Sequence, residues 1–290
     1  MQLSVSRSFG VSPAFLLSCY GESFGPEDVE RALPRIADLG FRAYQPEVFD
    51  AARLDDWTPA AAARVATVAT DNGVAPSAFV AHFFGETIAS VSALSVTGAA
   101  ARANVAVFDR VCELAVAVGT SVVVVPALPF GDGEDGSTRV RPRLVEFFAT
   151  LLDRSASAGV TLAVETVPGS LIPTASTLAE LDRALGGGRI GYLCDTGNAL
   201  AAGEPPDLAV RRMARVVATH ICDTRAGAGS SECPGSGDVE WPVVLAALAE
   251  SGFEGSLDIE IRCPEAEVDA LYTRALEFLA ETLAAIELET

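Results

Sequence analysis

The chain has 290 residues, half of them apolar, and its apolar stretches fall short of the roughly 20 residues that span a membrane. The N-terminus does not resemble a signal peptide, so a cytoplasmic protein is expected. The formal net charge of −19 argues against a nucleic-acid partner, because phosphate contacts require clustered positive charge. All 20 basic residues are arginine, so Schiff-base catalysis and a P-loop lysine are excluded.

Eight strand-like runs alternate with eight helix-like stretches along the chain. The strands are predicted at Ala14–Tyr20, Phe41–Pro46, Val74–His82, Ser121–Pro126, Thr161–Thr166, Ile190–Asp195, Arg215–Asp223 and Gly255–Arg262. The helices are predicted at Glu27–Leu39, Pro59–Asp71, Ala99–Val118, Arg143–Ala158, Thr177–Leu185, Leu208–Met213, Trp241–Ser251 and Glu265–Glu287. This alternation is typical of a parallel sheet with helices covering it.

Several predicted helices end in a glycine directly before the next strand, as at Gly40, Gly73 and Gly159, which matches a left-handed C-cap. No linker divides the chain in two. Eight βα units favour a closed (β/α)8 TIM barrel over an open sheet, so residues 1–290 are predicted to form a single α/β domain.

Four strand-like runs in the second half end in, or just before, a side chain that can bind a metal. These side chains are Glu165, Asp195, His220 and Glu260. A buried carboxylate without a partner is strongly disfavoured, and the C-terminal ends of barrel strands converge on one site. The four residues are therefore predicted to hold one divalent cation. Oxygen and nitrogen ligands favour Mn²⁺, Mg²⁺ or Co²⁺, with Fe²⁺ or Zn²⁺ also possible.

These segments carry a resemblance to a known family. The segments are Val164-Glu165, Cys194 to Asn198, Thr219 to Asp223 and the loop Pro234 to Trp241. They resemble the sugar phosphate isomerase/epimerase family of xylose isomerase-like TIM barrels. The resemblance implies that Glu165, Asp195, His220 and Glu260 bind the metal. It also implies that Glu165 and Glu260 are the catalytic acid and base on opposite faces of the substrate.

Two departures concern the substrate. The family often has a histidine where this chain has Asn198, and a glutamate where it has Ser236. Asparagine can form a hydrogen bond but cannot carry a proton near neutral pH. Both changes leave the predicted metal ligands intact.

Further residues are candidates for substrate binding because they lie at predicted strand ends or just beyond them. They are His82, Gln45, Glu47, Asn198, Asp223, Arg225 and Arg262. Arg262 lies two residues after Glu260 and can either pair with Asp258 or bind an anionic substrate group. Cys222 shares the face of His220 and is interpreted as a small interior filler.

The leading hypothesis is a metal-dependent isomerase or epimerase of a keto-sugar or related polyhydroxy carbonyl compound. The alternative is a lyase that dehydrates a keto-cyclitol, similar to the inosose dehydratases of the same superfamily. A non-catalytic metal or sugar binder is a third reading. Endonuclease activity is rejected because those relatives use histidine-rich metal clusters, whereas this chain has two histidines. The expected partner is a small sugar or cyclitol, and a homodimer is possible.

Overall fold

The computed structural model describes residues 8–88, 98–128, 141–225 and 231–289, and its strands form a parallel barrel. Within these ranges the strands are β1 Phe9–Val11, β2 Ala43–Tyr44, β3 Glu47–Val48, β4 Ala75–Pro76, β5 Phe79–Ala81, β6 Val122–Pro126, β7 Thr161–Glu165, β8 Gly191–Asp195, β9 Val216–His220 and β10 Leu257–Ile259. The predicted strand Val74–His82 is interrupted once, into β4 and β5, and the predicted strand Phe41–Pro46 contains β2 and is continued beyond its predicted end by β3. The ten segments therefore fill eight positions around the barrel.

The register closes the ring of strands. One sheet runs β10-β1-β2-β4 and the other runs β3-β5-β6-β7-β8-β9, all in parallel. Because β2 continues into β3 and β4 into β5, the two sheets share these positions. On the other side, the amide of Ile221 donates to the carbonyl of Asp258 at 2.8 Å. A parallel bridge between Ile221 and Ile259 joins β9 to β10 there. The predicted TIM barrel is thus confirmed.

Helices surround the barrel. They are α1 Ala14–Tyr20, α2 Pro26–Asp38, α3 Pro59–Asp71, α4 His82–Ile88, α5 Gly98–Val118, α6 Arg141–Ser157, α7 Ala175–Ala184, α8 Thr196–Ala201, α9 Pro206–Arg212, α10 Trp241–Glu250 and α11 Val268–Glu289. Short 3₁₀ turns lie at Ala51–Asp56 and Glu265–Glu267. Among the helices of the described ranges, none combines the length and the apolarity that a bilayer crossing requires.

The prediction for the first strand is wrong. Ala14–Tyr20 forms α1, and the strand is the earlier segment Phe9–Val11. An uninterrupted apolar run fits a buried helix as well as a buried strand. Here the Ser12 hydroxyl accepts from the amide of Ala14 at 3.2 Å, and Pro13 precedes the first helical turn. These two residues direct the run into a helix whose first turn faces the barrel mouth.

Two kinds of side chain fill the space inside and around the strands. The large aliphatic and aromatic residues form one cluster, which contains Phe79, Phe148 and Tyr192. A second cluster consists of small or medium aliphatic side chains, namely Ala78, Val80, Val124, Ala163, Leu193 and Ala218. Polar residues lie close by, including Gln45, Ser77 and Asp258.

Candidate metal centre and active site

The four predicted ligands lie at neighbouring strand ends. Glu165, Asp195 and His220 are the last residues of β7, β8 and β9, and Glu260 directly follows β10. Each ends a buried strand, so the pleat directs its side chain to the mouth of the barrel.

His220 lies at the centre of this group. Its Nδ1 is 3.5 Å from Glu165 Oε1 and 3.1 Å from Glu260 Oε2. One ligand atom each from Glu165, Asp195 and His220 lie within 4.8 Å of one another. Asp195 and Glu260 meet the same criterion together with the Cys222 sulfur. The structure therefore brings all four predicted ligands together.

Several polar atoms in the group are buried without a hydrogen bond. In the described part of the chain, no hydrogen bond of acceptable geometry reaches three of these atoms, which are His220 Nδ1, Glu260 Oε2 and Glu47 Oε2. Buried polar atoms in native proteins are nearly always satisfied. A divalent cation bound by carboxylate oxygens and a ring nitrogen would satisfy the first two, and this donor set is one that such ions accept. The residues present fit a metal.

The charges in this cluster redistribute protons in the absence of a cation. Burial acts to lower the pKa of His220, but the charges of Glu260 and Glu165 outweigh it and raise that pKa well above its usual value. Burial, with the charges of Glu260 and Glu165, raises the pKa of Asp195 well above normal. Burial also acts to raise the pKa of Glu165, but the charge of His220 lowers it on balance. A cation held by these residues would therefore compete with protons on His220 and Asp195.

A cavity of about 250 Å³ opens directly above the cluster. Its wall contains Glu165, His220 and Glu260 beside four of the predicted substrate-binding residues. These four are Glu47, His82, Asn198 and Arg262. The cavity is large enough for a small polyol and carries ionisable groups on several sides.

Glu47 and His82 face the cavity from the strands opposite the ligands. Glu47 is 2% exposed, and burial raises its pKa well above the usual value, which favours the neutral carboxyl. The His82 ring stacks on Phe49, with ring centroids 4.0 Å apart and planes 16° apart. Burial lowers the pKa of His82. Both residues offer neutral hydrogen-bonding groups to a ligand.

Asn198 and Arg262 lie at the rim. The side-chain Nδ2 of Asn198 donates to Glu165 Oε1 at 3.1 Å, and the backbone amide of Asn198 donates to Asp195 Oδ1 at 2.9 Å. Asn198 thus orients two of the ligands as well as lining the cavity. Arg262 is 48% exposed and pairs with Glu22 at 3.7 Å. The alternative pairing of Arg262 with Asp258 is wrong, because Asp258 is fully buried and bonded to other residues.

Three of the residues predicted to bind substrate do not line the cavity. Gln45 is 1% exposed and bonds to His220 from below the cavity. Asp223 accepts hydrogen bonds from the amides of Thr224, Gly235 and Val239 and from Trp241 Nε1. Its carboxylate therefore organises the loop around Gly235. Arg225 is exposed and lies outside the cavity wall. Strand ends alone do not distinguish a side chain that faces a ligand from one that folds the next loop.

Some cavity residues escaped the sequence analysis. Phe49 lines the cavity. It lies two residues after Glu47, so the alternation of side chains along a strand could have predicted that it shares the face of Glu47. Leu17 and Ala14 were missed because their segment was predicted as a strand. Cys222 is an interior residue as predicted, but its sulfur donates to Asp195 Oδ1 at 3.4 Å and so touches a ligand.

Comparison with known proteins agrees with this geometry. Residues 33–282 match the sequence profile of the xylose isomerase-like TIM barrel family. The chain belongs to this family. The resemblance drawn from the strand-end residues is therefore confirmed.

One curated relative is the rhizopine catabolism protein MocC of Rhizobium meliloti, which is 32% identical over 130 residues. That match covers 38% of this chain and 39% of the relative, so the chain spans about two fifths of that protein's length.

Solved structures match over nearly the whole chain. An L-ribulose 3-epimerase superposes with a TM-score of 0.77 at 20% identity, covering 97% of this chain and 96% of its own. A D-tagatose 3-epimerase-like protein gives 0.78 at 18% identity, covering 97% and 99%. An IolI protein with a bound zinc atom gives 0.70 at 18% identity, covering 97% and 98%. At these identities the likeness establishes the fold.

Proposed function

We propose that this protein is a divalent-metal-dependent isomerase or epimerase of a keto-sugar or related polyhydroxy carbonyl compound. The observation that carries the proposal is the cluster of Glu165, Asp195, His220 and Glu260 under a polyol-sized cavity, with buried ligand atoms left unsatisfied. The similarity to solved ketose 3-epimerases supports the same substrate class.

A divalent cation held here would polarise a carbonyl and its neighbouring hydroxyl, which makes the C–H bond between them more acidic. Glu165 and Glu260 approach His220 Nδ1 from strand positions three apart in the barrel, and both line the cavity. One carboxylate can remove the proton, and the other can return one to the opposite face of the enediolate.

Neighbouring residues prepare these two carboxylates. Asn198 Nδ2 fixes Glu165 Oε1 and keeps that oxygen pointed at the site. Burial raises the pKa of Glu47 and favours its neutral form, which can donate to a substrate hydroxyl. Phe49 and His82 form a flat wall against which a sugar ring can lie.

A second candidate is a lyase that expels water from a keto-cyclitol. Glu47 favours it, because a third carboxyl with a free oxygen faces the cavity, beyond the two that epimerisation uses. As a neutral acid, Glu47 could protonate a departing hydroxyl after Glu165 or Glu260 has removed the adjacent C–H proton. The product would be an enol with one C=C bond, and one water molecule would be released.

One experiment separates the candidates. Metal-loaded protein is incubated in D₂O with ketopentoses, ketohexoses and inososes, and the products are analysed by mass spectrometry. An isomerase or epimerase incorporates deuterium next to the carbonyl and otherwise retains the mass of the substrate. A lyase yields a product that has lost water. If the metal-loaded protein catalyses neither reaction but binds a sugar, the enzyme proposal is wrong and the protein is a binder.

A further inference from the structure

A buried glutamine lies directly beneath the proposed metal centre. Gln45 Nε2 donates to Asp258 Oδ2 at 2.7 Å and to the Thr219 carbonyl at 3.3 Å. At the other end of the same amide, Gln45 Oε1 lies 2.9 Å from His220 Nε2. Gln45 is 1% exposed, so these protein groups, in place of solvent, determine how its amide is oriented.

The partners of Gln45 permit one orientation of the amide. The Thr219 carbonyl can only accept a hydrogen bond, and so can an ionised Asp258 carboxylate. Rotating the amide by 180° would place its oxygen against both acceptors, which is strongly unfavourable in a buried site. Gln45 Nε2 therefore faces Asp258 and Thr219, and Gln45 Oε1 faces His220.

This orientation decides which nitrogen of His220 carries a proton. An amide oxygen only accepts, so His220 Nε2 must donate and must carry hydrogen. The other nitrogen, Nδ1, then faces Glu165 and Glu260 and is the nitrogen that a cation would bind in exchange for a proton. We propose that Gln45 is a positioning residue that holds His220 in the tautomer whose Nδ1 binds the metal. The metal-binding half of this inference rests on the proposed function.

Asp258 anchors the glutamine and is itself held on several sides. Ser256 Oγ donates to Asp258 Oδ1 at 2.6 Å, and Ser77 Oγ donates to Asp258 Oδ2 at 2.8 Å. Gly10 makes room for this carboxylate, because a Cβ atom there would lie 1.9 Å from Asp258 Oδ1. A chain of contacts thus runs from the strands below the site to the ring of His220.

The small number of histidines makes the tautomer directly measurable. With ¹⁵N-labelled histidine, long-range ¹H–¹⁵N NMR shows signals from two rings, and His82→Gln identifies those of His82. In protein loaded with diamagnetic Zn²⁺, His220 Nε2 is expected to be protonated and Nδ1 to be metal-bound. Zinc on Nε2, with the proton on Nδ1, would overturn the inference.

The metal-free protein gives an independent reading. In metal-free protein, His220 Nε2 is expected to carry a proton, because Gln45 Oε1 lies 2.9 Å away and can only accept a hydrogen bond. Loss of the proton from Nε2 would overturn the role of Gln45. This measurement does not require metal binding, so its failure is distinct from failure of the proposed metal centre, which would appear as a protein that binds no Zn²⁺.

Variants then test whether Gln45 is responsible. Gln45→Met keeps the length of the side chain and removes both hydrogen-bonding groups. We expect Zn²⁺ affinity to fall by about 10- to 100-fold, as when other outer partners of metal ligands are removed. Thr67→Ala is the control, because Thr67 is exposed on α3 and its hydroxyl donates to the Ala63 carbonyl of the same helix, outside the contacts of Gln45; its affinity should equal that of the wild type. A folded Gln45→Met protein with wild-type affinity would contradict the proposal. If that variant does not fold, the two wild-type spectra still decide it.

Discussion

Two layers of the barrel contain buried polar side chains: the mouth, with Glu165, His220 and Glu260, and the floor beneath it, with Gln45 and Asp258. The two layers differ in how the hydrogen-bonding groups of these side chains are satisfied. At the mouth, His220 Nδ1 and Glu260 Oε2 lie 3.1 Å apart, but neither forms a hydrogen bond of acceptable geometry with any described residue. On the floor, both oxygens of Asp258 and both ends of the Gln45 amide are bonded. The unsatisfied atoms at the mouth line a cavity and could bind a ligand there, whereas the satisfied ones below support the binding residues.

The largest expected effect is at the mouth. Glu260→Gln should lower kcat by about 10²- to 10⁴-fold, because the amide cannot exchange a proton with the substrate. Its remaining oxygen should keep metal on the protein. Turnover is followed with the substrate found in the D₂O experiment, and metal content is measured in parallel. Glu277→Gln, on the exposed face of α11, is the control; equal activity in both variants would remove Glu260 from the mechanism.

On the floor, the expected loss is in stability. Asp258→Ala leaves donors of Gln45, Ser77 and Ser256 without their acceptor, and each buried unsatisfied group costs about 1–3 kcal/mol. We therefore expect the free energy of unfolding to fall by about 3 kcal/mol or more in urea denaturation. Asp71→Ala, at the exposed end of α3, should change it by less than about 0.5 kcal/mol. Similar losses in both variants would mean that the floor network contributes little.

Asp258 on the floor should also make the free energy of unfolding depend on pH. Burial raises the pKa of Asp258 from 3.8 to about 6, so the folded state binds this proton more tightly than the unfolded state. The contribution of Asp258 to stability is therefore present below about pH 4 and is lost as pH rises towards 6, by up to about 3 kcal/mol. Comparing urea denaturation of wild type and Asp258→Asn across this range isolates the effect. Parallel curves for the two proteins would show that Asp258 titrates normally.

At the mouth, protons compete with metal. Because the pKa values of His220 and Asp195 are raised in the metal-free protein, metal binding should release protons. Apparent affinity should then rise with pH, by about tenfold per unit for each proton released. Calorimetry in buffers of different ionisation enthalpy counts these protons. An affinity that does not change with pH would mean that the ligands are already deprotonated.

The smallest expected effect is at the cavity wall. Phe49→Ala removes the ring stacked on His82 and should raise KM by about 2- to 10-fold, since such aromatic contacts contribute about 0.5–1.5 kcal/mol. Metal content should be unchanged. Phe278→Ala, which loses a contact with Trp241 outside the cavity, serves as the control. An unchanged KM in Phe49→Ala would place the substrate against another wall.

The sequence predicts the mouth better than the floor. Charged residues at the ends of buried runs are unusual, and the order of strands brings Glu165, Asp195, His220 and Glu260 together. Gln45 gives no such signal, because its role depends on contacts with Asp258 and Thr219 from distant parts of the chain. Asp223 was misassigned because its partners lie in the loop around Gly235, whose path no periodicity reveals. The first strand was missed because three residues are too few to show a pattern.

The most direct test of the account is a metal count. Protein purified without chelators, or metal-free protein given one equivalent of Mn²⁺, Co²⁺ or Zn²⁺ and desalted, is analysed for bound ions. We expect about one divalent ion per chain in the wild type and none in the Glu165→Gln/His220→Ala double variant. Wild-type protein that retains no ion, or a folded double variant that retains as much as the wild type, would contradict the metal centre.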